Sequence, residues 1–513
     1  MWLRLLRRRR WLERLASSIL FLAANTAEAA TVTVPTGGDL HAALLNARPG
    51  DVIALEQGGI YVGNFTLPSK VGDNFITIRT AGVYAVPEGA RITPQAAASF
   101  AKLRSPNSQP VIQTAPGAHH WRLMFLELQA NAEGEGDILQ LGSGALAQSS
   151  LSQVPHDLVV DRCYIHGDPT KGQKRCIALN SASTTVTGSH ISDCKRVGQD
   201  AQAIAGWNGP GPFLINNNYL EGAAENVLFG GADPAIRGLV PSDIRITGNL
   251  ISKPVSWRGS RWQIKNLLEL KNARRVRIDR NVLEYTWQAA QVGFAVLFHV
   301  RNQDGGCRWC QVEHVIFEHN IVRHSASAIS VLGFDDNHPS RQTQSITIRN
   351  NVFDDIDIGN WGGGGYAFKF VNGPRDVVFD HNTIIQEPGN GILQVEGPPV
   401  LGFSFTNNIA RHNIYGIKGA SRGSGNDTIA AYFPASRVAD NVIADGDAAR
   451  YPSGNHFPSS AELRAQFPGY ASGNYRLAPT SPWRGAGSDG LDIGADLGGA
   501  PQRTPRGSRQ PQE

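Results

Sequence analysis

Apolar and polar residues alternate with a period of two along short stretches of this chain, and the stretches recur. In Leu268-Glu269-Leu270-Lys271 and in Phe298-His299-Val300-Arg301, the apolar residues fall on one side of a strand and the ionisable ones on the other. Related strands are Ile177-Ala178-Leu179, Val227-Leu228-Phe229, Ile329-Ser330-Val331, Phe368-Lys369-Phe370 and Leu393-Gln394-Val395. Between them recurs an Asn followed by two mostly apolar residues, at Asn218, Asn249, Asn281, Asn320, Asn351, Asn382, Asn408 and Asn441, 26 to 39 residues apart. Cys163 and Ser189 take the same place upstream.

A repeat of this length predicts a solenoid or a propeller. Propeller blades need about four strands in each unit of about 40 residues or more, whereas these units are mostly shorter and vary in length. Variable insertions suit the loops of a β-helix. The repeated Asn predicts an internal ladder, each amide bonding the next at the ~4.8 Å strand spacing, with a structural role. If the strands stack in register, one sheet presents Asn180, Trp207, Asn226, Gly230, Glu269, Lys271, His299, Arg301, Lys369, Gln394 and Glu396 outward. A slip of one residue would bury all these polar groups, at a large desolvation cost.

The ends carry other patterns. Thr31–Val34 reads as a strand, Asp39 as an N-cap, and Leu40, Ala43, Leu44 and Ala47 as the apolar stripe of a short helix stopped by Pro49-Gly50. That helix predicts a cap over the open end of the stack. Residues 1–29 read as an export leader, with a basic start (Arg4, Arg7 to Arg10), a short apolar run over 15–24 and Ala27-Glu28-Ala29 as the cleavage pattern. The run is too short to span a bilayer. Arg8-Arg9-Arg10-Trp11-Leu12 leaves Sec and twin-arginine export both open. Residues 499–513 are rich in Pro, Arg and Gln, and a disordered tail is expected over 497–513.

Charge changes the picture. The leader holds six Arg and two Glu, so of 48 basic and 44 acidic residues 42 of each remain. A neutral mature chain speaks against nucleic acid as a partner. Five Cys remain. Cys307 and Cys310 are spaced for a loop disulfide, no second pair has zinc-ligand spacing, and one Cys is left over.

With its cap, its Asn units and the closing residues Tyr475-Arg476-Leu477, Ser481-Pro482-Trp483 and Asp492-Ile493-Gly494, the stretch 31–496 resembles the pectate-lyase-like superfamily. The resemblance implies an all-β, right-handed parallel β-helix with an N-terminal capping helix and variable loops, one domain over 30–496. That superfamily holds polysaccharide lyases, hydrolases, epimerases and non-catalytic adhesins, so the site must decide the function. Glu269, Lys271 and Arg301 are similar in kind to the acidic metal ligands, Lys and Arg of its calcium-dependent lyases. The epimerase motif is absent, and only Asp335-Asp336 resembles the hydrolase branch.

β-Elimination of a uronic-acid polymer needs a neutralised sugar carboxylate and a base for the proton beside it. Arg301 suits the first task, and Lys271 or His299 the second. Calcium, held by Glu269 and Asn226, is a cofactor the site would accept. Lys369, Glu396, Trp207, and Trp257, Arg258, Arg261 and Trp262 of the loop 252–265 are candidate sugar contacts; the loop residues equally suit packing. Asp335 and Asp336 suit either a hydrolase acid and base or an Asp-rich turn. Asp233 suits a turn, residues 362–365 lack a phosphate-loop context, and His119-His120 lacks a third ligand. The expectation is an exported monomeric lyase acting on an acidic polysaccharide, with no transmembrane segment once the leader is removed. The alternatives are a glycoside hydrolase and a non-catalytic carbohydrate-binding or cell-surface protein.

Overall fold

The computed structural model describes residues 29–83, 86, 87 and 89–498. The expected leader lies outside these residues except for Ala29, and the expected tail except for its first two residues. Among the described residues no helix is long and apolar enough to cross a membrane.

Three parallel sheets share one axis. Among the described residues the first has 14 strands, from Thr31–Val34 to Arg437–Ala439; the second has 13, from Ile60–Val62 to Val442–Ala444; the third has 12, from Phe65–Leu67 to Ile417–Gly419. The chain visits them in turn. Ala273–Asp279, Val282–Thr286 and Phe294–His299 make one rung, and Val312–Glu318 starts the next. Every ladder joins a strand to its equivalent one rung away, in parallel. The fold is a right-handed parallel β-helix. Alternate residues of all three sheets, such as Ile278, Leu283, Val296 and Phe298 of this rung, fill one continuous core.

The Asn ladder is present at the corner between the first and second sheets. The backbone N–H of Asn281 donates to Oδ1 of Asn320 at 2.9 Å, and its Nδ2 donates to the same oxygen at 3.0 Å and to the Ile246 carbonyl at 2.9 Å. The pattern repeats from Asn218 to Asn441 and ends on Asn455. Each buried amide thus satisfies backbone groups that the corner takes out of the sheets. The corner needs a left-handed residue just before each Asn. Arg280, His319, Asn350, His381, Asn407 and Asp440 all sit at φ of 51° to 59°. A side chain there costs roughly 1–2 kcal/mol, and the ladder bonds offset it.

Asp39 caps the helix Leu40–Asn46 through the Ala42 N–H at 2.9 Å, and Leu40, Ala43 and Leu44 cover the first rung. The far end is closed by the helix Asn426–Tyr432 and by Phe433, stacked on Phe403 at 4.2 Å. The C-terminal stretch does not form that lid. It returns along the outer face of the second sheet, where Leu463, Phe467, Tyr475, Trp483 and Ile493 cover Ile321, Val352, Ile409 and Val442. Those strand residues face outward yet are apolar, so they need this cover to leave water.

Cys307 and Cys310 are joined, as their spacing suggested, and Cys176 is joined to Cys194. Cys163 is free and buried. It stands in line with the ladder, its N–H bonded to the Ser189 hydroxyl at 3.0 Å.

Candidate active site on the third sheet

Strand alternation places the charged cluster on the outer face of the third sheet. Each strand enters with two consecutive inward residues, Leu267 and Leu268, Ala295 and Val296, or Ala328 and Ile329, and alternates afterwards. Glu269 lies opposite Leu297, Leu297 opposite Ser330, and Ser330 opposite Lys369. Leu270 lies opposite Phe298, which sets Lys271 beside His299, and the Arg301 N–H bonds the Lys271 carbonyl at 2.9 Å. A cleft of about 520 Å³ opens over these columns, bounded by Glu269, Lys271, His299, Arg301, Asp335 and Lys369.

Three cations converge on His299. Burial first, then the charges of Arg301, Lys271 and Lys369 push its pKa down to about 3, against a weaker opposing pull from Asp336. The ring is therefore uncharged at neutral pH, and its Nε2 shares a hydrogen with the Ser330 hydroxyl at 2.9 Å. Lys271 Nζ is 3.8 Å from Glu269 Oε1, and Lys369 Nζ is 2.9 Å from Glu396 Oε1. Arg301 Nη1 donates to Asp335 Oδ1 at 2.8 Å and also contacts Asp336. Burial raises the Asp335 pKa, but the N–H groups of Asn337 and Asn302 and the Arg301 guanidinium outweigh it and hold the carboxylate below its usual range.

Glu269, Lys271, His299, Arg301 and Lys369 are brought together as their pattern suggested, with Glu396 at the rim. Asn226 is not. It occupies the first of the two inward positions, opposite Leu267, and is fully buried. Its Nδ2 donates to the carbonyls of Leu220 and Ser252, and its Oδ1 accepts from Lys253 Nζ at 2.8 Å. It has no lone pair aimed at the cleft and cannot join Glu269 on a metal.

The loop 252–265 packs away from the cleft. Trp257 is buried with Ile264 and Trp287, and Trp262 lies against them. Lys195 Nζ sits 5.1 Å from both indole rings. Arg258 donates to the Asn360 carbonyl at 2.5 Å, and Arg261 to the Thr170 carbonyl at 2.7 Å. Trp207 faces outward two rungs from Lys271, but the loop at Gly144 covers it and takes its Nε1–H at 2.9 Å. Asp335 is a turn residue: its carboxylate ties Arg301 to the N–H groups of Asn302 and Asn337, at 2.7 and 3.0 Å. A carboxyl held ionised in this way cannot serve as a hydrolase acid.

Sequence reasoning missed the deeper shell. Glu225 and Asn266 also face outward and are fully buried, and one oxygen of each, Glu225 Oε1 and Asn266 Oδ1, has no hydrogen-bond partner among the described residues. Burial, the neighbouring Glu269 and Asp200 raise the Glu225 pKa, while Lys265 and Lys271 oppose the rise. Asn266 Nδ2 donates to Glu269 Oε2 at 3.1 Å. Lys253, also fully buried, donates to the carbonyls of Gly222, Ala223 and Ala224 and to Asn226 at 2.5 to 3.2 Å. Nothing in the local pattern marks these residues, because their orientation follows from the two inward residues at each corner.

No protein-family model and no curated protein matches this chain. Solved structures do. The alginate lyase AlyGC, of the PL6 family, superposes with a TM-score of 0.53 at 14% identity, over 84% of this chain and 53% of that one. The fold they share is the parallel β-helix. Two further β-helix proteins superpose less closely. A mannuronic-acid-specific family 6 lyase from human gut microbiota gives a TM-score of 0.43 at 14% identity, over 84% and 82% of the two chains. The catalytic unit of a GH87 α-1,3-glucanase from Streptomyces thermodiastaticus gives 0.45 at 13%, over 85% and 72%. This β-helix chain spans about half the length of AlyGC.

Proposed function

We propose that this protein is an exported polysaccharide lyase that cleaves an acidic glycan by β-elimination in the cleft of the third sheet. The observation that carries the reading is the convergence of Lys271, Arg301 and Lys369 around an uncharged His299. Such a cleft offers an anion charged hydrogen-bond donors where a carboxylate of the protein now pairs with them. The carboxylate of a uronate residue would displace the partly exposed Glu396 and the exposed Asp336 from Lys369 and Arg301.

Lys271, in its uncharged form, takes the proton on the carbon beside that carboxylate. The electron pair forms a carbon–carbon double bond, the glycosidic bond to the departing oxygen breaks, and the resulting ammonium returns a proton to that oxygen. Neutralising the carboxylate stabilises the charge that develops on it. His299 and Ser330, already hydrogen-bonded to each other, orient sugar hydroxyls. With Asn226 excluded, calcium would be held by Glu269 with Glu225 Oε1 and Asn266 Oδ1, both buried without a hydrogen-bond partner among the described residues, though Lys265 Nζ lies 3.9 Å from Glu225 Oε1, and would add positive charge beside the carboxylate. The solved lyase that shares this fold agrees with the reading without deciding it.

A second reading has its own observation: every cation in the cleft already has a carboxylate within 4 Å, as in a surface that only binds sugar. Incubation of the mature protein with polyuronates and neutral glycans, with calcium or with a chelator, separates the two. New ultraviolet absorbance from an unsaturated uronide, lost in Lys271→Ala, supports the lyase. Binding without product on every polymer sinks it in favour of a binding protein.

A further inference from the structure

A second cleft, of about 550 Å³, opens on the outer face of the second sheet toward the N-terminal end. Its floor is one column of the sheet. Val62 lies opposite Arg104, Leu103 opposite Leu128 (which sets Arg104 beside Gln129), and Gln129 opposite His166. Four rungs at the ~4.8 Å strand spacing make a trough about 14 Å long, running along the helix axis. Loops bearing Pro106, Asn131, Pro169 and Lys171 form its walls.

The charges here are arranged differently from those of the first cleft. The carboxylates that reach the trough are already engaged. Glu127 accepts from Lys102 at 2.8 Å, Gln129 at 2.7 Å and His166 at 3.3 Å. Burial pushes its pKa up, but these bonds outweigh burial and hold it at about 2. Asp168 accepts from the Thr170 and Lys171 N–H groups and from the Thr170 hydroxyl, at 2.7 to 2.8 Å. Arg104 and Lys171 are exposed, and among the described residues neither has a carboxylate within 4 Å. In the first cleft each cation has one. The second trough thus offers two cations without carboxylate partners, Arg104 on the second of its four rungs and Lys171 on the loop that follows the fourth, over a floor with side-chain amide and imidazole groups.

We propose that this trough is a second binding site for an acidic glycan, in which Arg104 and Lys171 grip sugar carboxylates while the Gln129 amide oxygen accepts from the hydroxyls between them; His166, held by Glu127 and the Gly167 carbonyl, shapes the floor. The choice of polymer rests on the acidic-glycan reading of the first cleft; the trough and its idle cations do not. The loop 252–265 borders the trough, since Arg261 donates to the Thr170 carbonyl beside Lys171. One polymer strand held at this second site raises the local concentration of substrate at the first, without any catalytic role for the trough.

The test is binding of oligogalacturonate and oligomannuronate by the full mature chain carrying Lys271→Ala, measured by calorimetry. Into this background Arg104→Ala with Lys171→Ala, or Lys369→Ala alone, is introduced, and unfolding midpoints check that each variant folds. The expected result is a loss of affinity of about tenfold or more on removing Arg104 and Lys171, with a shallower dependence on salt. Arg104→Lys, which keeps the charge, retains most of the binding. Affinity that is unchanged without Arg104 and Lys171, yet falls with Lys369→Ala, overturns the second site and leaves the first cleft as the binding surface. No binding of either oligomer by any variant or by the unmodified chain overturns the acidic-glycan reading, and this proposal with it.

Discussion

Arg301 and Asp335 are 34 residues apart in the chain and 2.8 Å apart in the fold, and their ion pair forms one wall of the charged cleft. The Asp335 side chain is 1% exposed, so the pair is largely shielded from solvent. Replacing Asp335 with Asn leaves Arg301 without its buried partner and weakens the acceptors for Asn302 and Asn337. A destabilisation of about 1–3 kcal/mol is expected, read from urea unfolding. The Asp335 pKa is depressed in the folded state, so its contribution is present above the unfolded carboxylate range near 4 and is lost as pH falls through the lower folded value. The gap between wild type and Asp335→Asn therefore narrows on acidification below about pH 4.

Lys271 and Lys369 have different tasks, and steady-state kinetics on a polyuronate would separate them. Lys271→Ala removes the base and lowers kcat by about 10²–10⁴-fold. Lys369→Ala removes a carboxylate contact made before and during reaction, so KM rises more than kcat falls. Equal loss of kcat in both variants would contradict the division.

His299 supplies a pH signature. Its pKa is about 3 in the folded chain, below the ~6.5 of an exposed His, so between these values the unfolded state binds more protons. Stability then falls as pH falls through this window, by up to about 1.4 kcal/mol per pH unit. His299→Gln cannot take up this proton. Its unfolding free energy is expected to lose less than that of wild type between about pH 6.5 and pH 4, measured by urea titration.

Lys253 holds the corner that aims the strand Glu225–Phe229. One ammonium serves three carbonyls and Asn226 Oδ1, while burial pushes its pKa down to about 7, with Glu225 and Glu221 pulling the other way. Lys253→Met keeps the bulk and removes every donor, so several buried acceptors lose their partner. We expect a loss of about 3 kcal/mol or more in chemical denaturation, with Lys253→Arg no better because its planar fork does not match four converging oxygens. A Met variant as stable as wild type would show that the corner holds itself.

The alternating strands and the Asn repeat carried the fold in the sequence. A period of two decides which side of a strand faces water, and a buried amide in every unit needs a partner in the next. Glu269, Lys271, His299, Arg301 and Lys369 share a face for that reason alone. The partners of these groups were not legible. Asn226 obeyed the alternation as written, but each strand of the third sheet begins with two inward residues in succession, which turned Asn226 inside and Glu225 and Asn266 out. Asp335 reads as a turn, and only the path of its loop carries it onto Arg301. Trp257 and Trp262 pack against Lys195 and Trp287 rather than against a sugar, because a long insertion buries its own rings where the nearest apolar surface lies. Local periodicity, then, determined the rungs and their outer face. The charge balance of the cleft depended on loops and corners, whose course is set by contacts far apart in the chain.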